Sequence, residues 1–533
     1  MKKTLRLINI ILAAATVFSL CACSGKSDDT QNDTQIKPNS AVSVEKYSVT
    51  LPVAHNDTID PFKDISSVNR ALVPLLYDGL VRIDGTFTPQ PLLISGYTNE
   101  GKSLNVTLKS GIRFSDGSPI TADDVVYSFN QSKRSEYYSS RLSGIASATA
   151  NGNSVEFRLN SADINALACL DFPIVKTDTV QTLYGSTKIY DIVPPIGAGR
   201  YVINGKLPTA TLVSNTYCNR DEALNVDTIV LFEVNNSEGM AYGLQIGNYD
   251  YWYNDLSSGQ YTRVNAGLAV VPTNSLIYLG FNDEKNIFTE NAVRQALSKL
   301  IDRNEIVSQG FQGHATPSVL PFNPAWGAMK NISVATKMDA DVDGAKAILE
   351  QAGYSSINHY GYRCSTTQSL TCNLTVCKDN GFKVAAAKQI KDQLAKLNFN
   401  VRIIELPYDD YVKVIKEGDY EMYLGEIMIP ANMKITSFFS STGTPNCELR
   451  LVDENGLEFT VCYDEYLTVL SGELQMADFC RLFEYEMPFV PVCYRNGVEV
   501  YSHNIASQVN GTCYDNFYNI GSWTTKTKTE GNK

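Results

Sequence analysis

Residues 108–130, LKSGIRFSDGSPITADDVVYSFN, constrain local structure more than any other stretch of this chain. Just before them Leu104, Val106 and Leu108 alternate with polar residues, the period of a half-buried strand. Ser110-Gly111 and Asp116-Gly117-Ser118-Pro119 are turn chemistry: glycine supplies positive φ, and proline presets its own. Thr121 stands three residues before Asp124, the capping-box spacing of a helix N-terminus. Val125, Val126 and Phe129 then give that helix an apolar face. These residues predict a strand, a tight turn and a capped helix. They carry no chemistry.

The same run also resembles, almost residue for residue, the F-S-D-G-x-P-[IL]-T-A-x-D-V-V-[YF]-S-F signature of the family 5 extracellular solute-binding proteins, the peptide- and nickel-binding receptors of ABC importers. Other segments resemble the same family. They include Leu76-Tyr77-Asp78-Gly79-Leu80 and the 194–202 turn, where Arg200 replaces a usual proline. Further on come Val293-Arg294-Gln295-Ala296-Leu297 with Ile301-Asp302-Arg303, then the 313–324 crossing, Ala352-Gly353-Tyr354 and an ending at Trp523. The resemblance implies an α/β, two-lobe periplasmic-binding-protein fold. It would be type II-like, with the extra subdomain of the peptide-binding family and a hinged cleft between the lobes.

Length and composition agree with that scale. A chain of 533 residues is too long for one compact core, and 44% hydrophobic with 19% charged residues reads as globular. The net charge of −12 argues against nucleic acid, and against an anionic membrane surface held by a basic patch. Thirty tyrosines fit either sheets and surface or an aromatic-rich cleft.

Lys2, Lys3 and Arg6 precede an apolar run, 7–20, too short to span a bilayer comfortably. Leu20-Cys21-Ala22-Cys23-Ser24 resembles a bacterial lipobox, so Cys23 is expected to carry a lipid; an ordinary cleaved signal peptide is the other reading. Residues 24–44 are small and polar, the composition of a flexible tether. The expected organisation is a lipoprotein signal over 1–23, a tether over 24–44, a first lobe over 45–282, a second over 283–490, and a return to the first over 491–533. Ten cysteines remain beyond Cys23, without zinc spacing. Disulfides and buried thiols both stay open for them, with Cys364 and either Cys372 or Cys377 as a plausible staple.

Alternation and i, i+3, i+4 spacing predict strands near 47–53, 155–159, 229–234, 249–255, 275–282, 370–376, 401–406, 420–424 and 489–500. They predict helices near 68–77, 240–245, 292–301, 345–352, 387–397 and 411–415. Strand-helix-strand alternation after residue 283 predicts a mixed α/β second lobe.

No HExxH, GxSxG or Walker A sequence is present, and the four histidines are scattered. No catalytic residue, metal site or cofactor is therefore expected. A hinged cleft suits a receptor that must release its cargo. The resemblance places Tyr253 and Asn254 on a cleft-lining step and Tyr278 at a cleft aromatic. Asp255 departs from the pattern. In peptide receptors the strand near 420–424 leads to G-W-x-x-D, whose Asp pairs with the peptide ammonium. Here Glu426 stands at the Trp and Ile429 at the Asp, so Glu426 is the candidate substitute, with Asn432 closing the loop. Tyr138, with Tyr137, lies on the segment leaving the capped helix, and Trp252 sits beside Tyr253; such aromatics could equally stack on sugar rings.

The implied function is a lipid-anchored extracellular component of an ABC importer. It would take an oligopeptide or dipeptide and act as a monomer with permease subunits. It would sit on the outer face of the bacterial membrane and have no nucleic-acid partner. A saccharide or metal-complex receptor of the same fold, and a non-transport signalling or chaperone module, are the alternatives.

Overall fold

Why the opening stretch folds as it does is visible atom by atom. Leu104, Val106 and Leu108 are buried on one face of their strand. Gly111 and Gly117 take positive φ in the turns. Thr121 Oγ1 accepts from the Asp124 amide at 3.3 Å, while Asp124 Oδ2 accepts from the Thr121 amide at 2.9 Å. The computed structural model describes residues 47–182, 188–235, 239–282, 286–439 and 461–526, with the backbone of 451–452 and 458–459. The signal over 1–23 with Cys23, the 24–44 tether and Cys447 lie outside the described residues.

The first part holds β1 (Tyr47–Ala54), α1 (Ser67–Leu76), β2 (Ile94–Glu100), β3 (Ser103–Leu108), α2 (Ala122–Arg134), β4 (Ile145–Asn151), β5 (Ser154–Leu159), β6 (Tyr201–Asn204), β7 (Thr211–Ser214) and β8 (Val226–Val234). They form two four-stranded sheets, ordered β1-β8-β7-β6 and β2-β3-β5-β4. The second is antiparallel throughout, with α2 between β3 and β4, and has one buried face and one polar face, so its alternation is clean. The 194–202 turn packs against the end of α1. A Cβ on Gly197 or Gly199 would stand 2.3 Å or 2.4 Å from the backbone of Leu76. Close approach requires these glycines.

The second part holds β9 (Tyr251–Asn254), β10 (Gly267–Phe281), α3 (Asn291–Leu300), β11 (Ala315–Pro317), α4 (Val342–Gln351), β12 (Thr371–Cys377), α5 (Gly381–Ala395), β13 (Asn400–Leu406), α6 (Tyr408–Glu417), β14 (Met422–Met428), α7 (Val461–Leu470), α8 (Met476–Glu486) and β15 (Val490–Tyr501). One seven-stranded sheet runs β9-β15-β10-β14-β12-β13, with β11 also paired to β15. β12 lies parallel to β13 and β14, with α5 as the β12–β13 crossover.

β10 and β15 are the long antiparallel strands of the two-lobe α/β fold. Residues 267–272 of β10 pair with β15 alone, whose other edge there carries β9. Residues 275–281 sit between β15 and β14, and β15 now carries β11 on its far edge. The sequence pattern begins this strand at 275, but it starts at Gly267. Leu268 and Val270 are exposed, so their face does not alternate toward a core, and pairing with β15 decides the strand. Pattern likewise assigns nothing to α7 and α8.

The nine described cysteines outside the leader, Cys364, Cys372 and Cys377 among them, are all unbridged, and six are buried. Of the two readings, these nine take that of thiols, the buried ones behaving as small apolar side chains. Among the described residues no helix is long and apolar enough to cross a membrane.

Candidate ligand-binding site

The register of β10 against β15 breaks between Pro272 and Ser275, whose partners Asn496 and Arg495 are adjacent. Two residues, Thr273 and Asn274, are thus inserted, and a bulge leaves backbone groups that need other partners. Side chains provide them. Thr273 Oγ1 donates to the Arg495 carbonyl, Asn323 Nδ2 to the Thr273 carbonyl at 2.7 Å, and Asn274 Nδ2 to the Ile429 carbonyl at 2.9 Å. Thr273, Asn274, Ser275, Arg495 and Asn496 are all buried. A polar knot therefore lies where the two long strands change partners.

Arg495 Nε donates to Glu426 Oε1 at 2.7 Å, and its Nη2 to Ser275 Oγ at 3.1 Å. Lys383, in the first turn of α5, reaches Glu426 Oε2 at 2.7 Å. Burial alone would raise the Glu426 carboxyl. Lys383 and Arg495 outweigh it and hold the group below the usual carboxylate range. Arg495 is 4% exposed, and its Nη1 has no hydrogen-bond partner among the described residues. Glu426 thus gives both oxygens to cations of the protein itself. Ile429 is buried at 1% exposure, with its amide on the Asn274 carbonyl.

Tyr253 lies beside this group. A Cβ on Gly497, two residues along β15 from Arg495, would come within 2.5 Å of the Tyr253 hydroxyl. Burial, first, then Cys513 and Asp255 push that phenol well up, while Arg495 pulls it down. Asn254 Oδ1 accepts from the Leu256 amide at 3.0 Å and fixes the turn after β9. Trp252 and Tyr253 also line a depression with Val68, Leu72, Met240 and Phe517.

The other expected residues lie in packed surroundings. Tyr278 is 2% exposed; its hydroxyl is 3.1 Å from that of Tyr423, and its ring meets Phe438 and Phe489 edge-on. Asn432 Nδ2 donates to Asp163 Oδ2 at 2.7 Å, joining the loop after β14 to the segment after β5. Tyr138 packs edge-on against Phe62 and Tyr137, and exposed Tyr137 carries the Arg70 guanidinium 4.2 Å over its ring.

Sequence reasoning missed Arg495, Lys383 and the 273–275 bulge. One signal was present. Arg495 and Glu499 interrupt an otherwise apolar strand, and charges in a buried strand need partners. No metal-binding group of three or more His, Cys, Asp or Glu occurs among the described residues.

A family model, "Bacterial extracellular solute-binding proteins, family 5 Middle", matches residues 88–446. The oligopeptide-binding protein AppA of Bacillus subtilis is 24% identical over 429 residues, covering 75% of this chain and 76% of that protein. The unliganded open form of MppA, a periplasmic murein tripeptide-binding protein, superposes with a TM-score of 0.70 at 17% identity, over 90% of this chain and 98% of that one. NikA from Brucella suis, in complex with Fe(III)-EDTA, does so with a TM-score of 0.66 at 15% identity, over 90% and 100%.

Proposed function

The chain belongs to the bacterial extracellular solute-binding proteins of family 5, and from that membership we propose that it captures a short peptide between its lobes and hands it to the permease of an ABC importer. The observation that carries the reading is the polar knot where β10 and β15 change partners, the place where a hinge and a ligand would meet. The peptide-binding names of relatives such as AppA support the choice of cargo. Tyr253, Asn254 and the Glu426–Arg495–Lys383 group face the cargo, while Tyr138, Tyr278 and Asn432 brace the walls behind it. The receptor acts as a monomer and does no chemistry on what it carries.

Thermal-shift and calorimetric titration against peptides of two to nine residues test this. At least one peptide should raise the melting temperature and saturate one site per chain. A library without a single binder ends the peptide reading. A metal complex is then the second reading, favoured by the Fe(III)-EDTA complex of one structural neighbour. Lipid on Cys23 would hold the body at the outer face of the membrane through the 24–44 tether. The Cys23→Ala chain should leave the membrane fraction for the medium; unchanged fractionation rules the anchor out.

A further inference from the structure

Glu426 is a poor partner for a ligand ammonium, the role the matching sequence position suggests, because two cations of the protein already share its single charge. Oε1 lies on Arg495 and Oε2 on Lys383, each at 2.7 Å. The group therefore has two cations and one anion, one positive charge in excess. Other carboxylates near Tyr253 do not offset it. Asp255 is exposed and caps its own turn through Ser257. Glu499 accepts from the Tyr251 hydroxyl at 2.9 Å and the Gly511 amide at 3.0 Å, and burial pushes its carboxyl up to about 7, toward the neutral form. Arg495 also keeps one donor, Nη1, buried and idle. A buried charge without a counter-charge and a buried donor without an acceptor are each costly. One ligand group repairs both faults, because a carboxylate brings the missing charge and the missing acceptor together.

We infer that the Arg495–Lys383 pair is a carboxylate subsite, that the cargo therefore presents an anionic group to this corner of the cleft, and that Glu426 is a positioning residue which orients the guanidinium. This deepens the receptor reading above and rests on it. The α-carboxylate of a peptide and an acidic side chain share the required chemistry.

Calorimetric titration of the purified chain with four peptide forms and with citrate distinguishes the possibilities. The peptides are a free acid, its C-terminal amide, an amide with an internal Asp, and an N-acetylated free acid. Carboxylate-bearing probes should bind about tenfold or more tightly than the neutral amide. The first and third forms tell a terminal carboxylate from a side-chain one. N-acetylation should leave affinity unchanged. Arg495→Gln should abolish the preference while the neutral amide still binds, and Lys383→Gln, at a largely buried position, should reduce it and flatten the salt dependence. Glu426→Gln, which can keep an oxygen on Arg495 Nε while removing the competing charge, should tighten carboxylate binding; a merely structural Glu426 would not move affinity in that direction. Equal affinity of acid and amide forms overturns the subsite and leaves the peptide receptor standing. Binding of citrate but of no peptide keeps the subsite and overturns the peptide. No binding of any carboxylate overturns the subsite.

Discussion

Arg200 shows how far a single residue departs from a family pattern for a structural reason. It stands where the family pattern that the 194–202 turn resembles has proline, and it is fully buried. Its Nη2 lies 3.0 Å from both oxygens of Asp515, and its Nη1 donates to the Phe517 carbonyl at 2.7 Å. It thereby ties the 194–202 turn to the C-terminal segment. Arg200→Ala would leave buried Asp515 with Arg220 at 4.0 Å as its remaining cation. Breaking such a pair costs about 3–5 kcal/mol, which urea unfolding should read as a lower midpoint at unchanged slope. Glu499 gives a pH prediction. Its folded pKa is raised to about 7 by burial first, then by Asp515, above an ordinary 4.5. Between those two values the folded state holds the proton more tightly than the unfolded chain, so stability falls as pH rises from about 4.5 to about 7. The loss is on the order of 3 kcal/mol and is complete above that window. Glu499→Gln should remove this slope and leave the protein more stable than the parent at pH 8. An unchanged melting profile between pH 5 and 8 in both proteins counts against it.

Among the elements, α2 was the most legible. Its cap, its apolar stripe and its flanking turns all point the same way, and Asp124 also accepts from the amide and hydroxyl of Thr177. Thr121→Ala should cost about 1 kcal/mol and lower the melting temperature without changing ligand affinity. β10 was legible only in its second half. Residues 275–281 are buried on both faces and read as a continuous apolar strand, whereas 267–270 carry exposed Leu268 and Val270. Gly497, in β15, belongs to this scale too. Gly497→Ala would push the whole Tyr253 ring aside, since the added Cβ would meet Cε2 and Cζ at 2.8 Å as well as the hydroxyl at 2.5 Å. Ligand affinity should then fall several-fold, and overpacking at this buried position should cost about 1–3 kcal/mol of stability.

For the whole molecule, the contact to watch is Asp163 with Asn432. It is a buried hydrogen bond between a segment before β10 and a loop after β14. Burial raises the Asp163 carboxyl despite bonds from the Asn165 amide and from Asn432. If the lobes open and close about the β10–β15 bulge and this bond is lost on opening, it favours the closed form. Asn432→Ala should then enlarge the ligand-free radius of gyration in small-angle scattering and weaken ligand affinity through population shift. An unchanged radius rules out that role.

The sequence by itself determined the α2 unit, most of the strands and helices, and the family. Local periodicity and turn chemistry act over a few residues and can be read there. It also located the loop where the pattern of peptide receptors changes, at Glu426. It could not say what Glu426 touches. Arg495 is 69 residues away and Lys383 is 43, and only the pairing of β14, β10 and β15 with α5 behind them brings the three together. Only the tertiary structure decides whether that corner is acidic or cationic, because the sign of a buried site depends on which charges the fold places side by side.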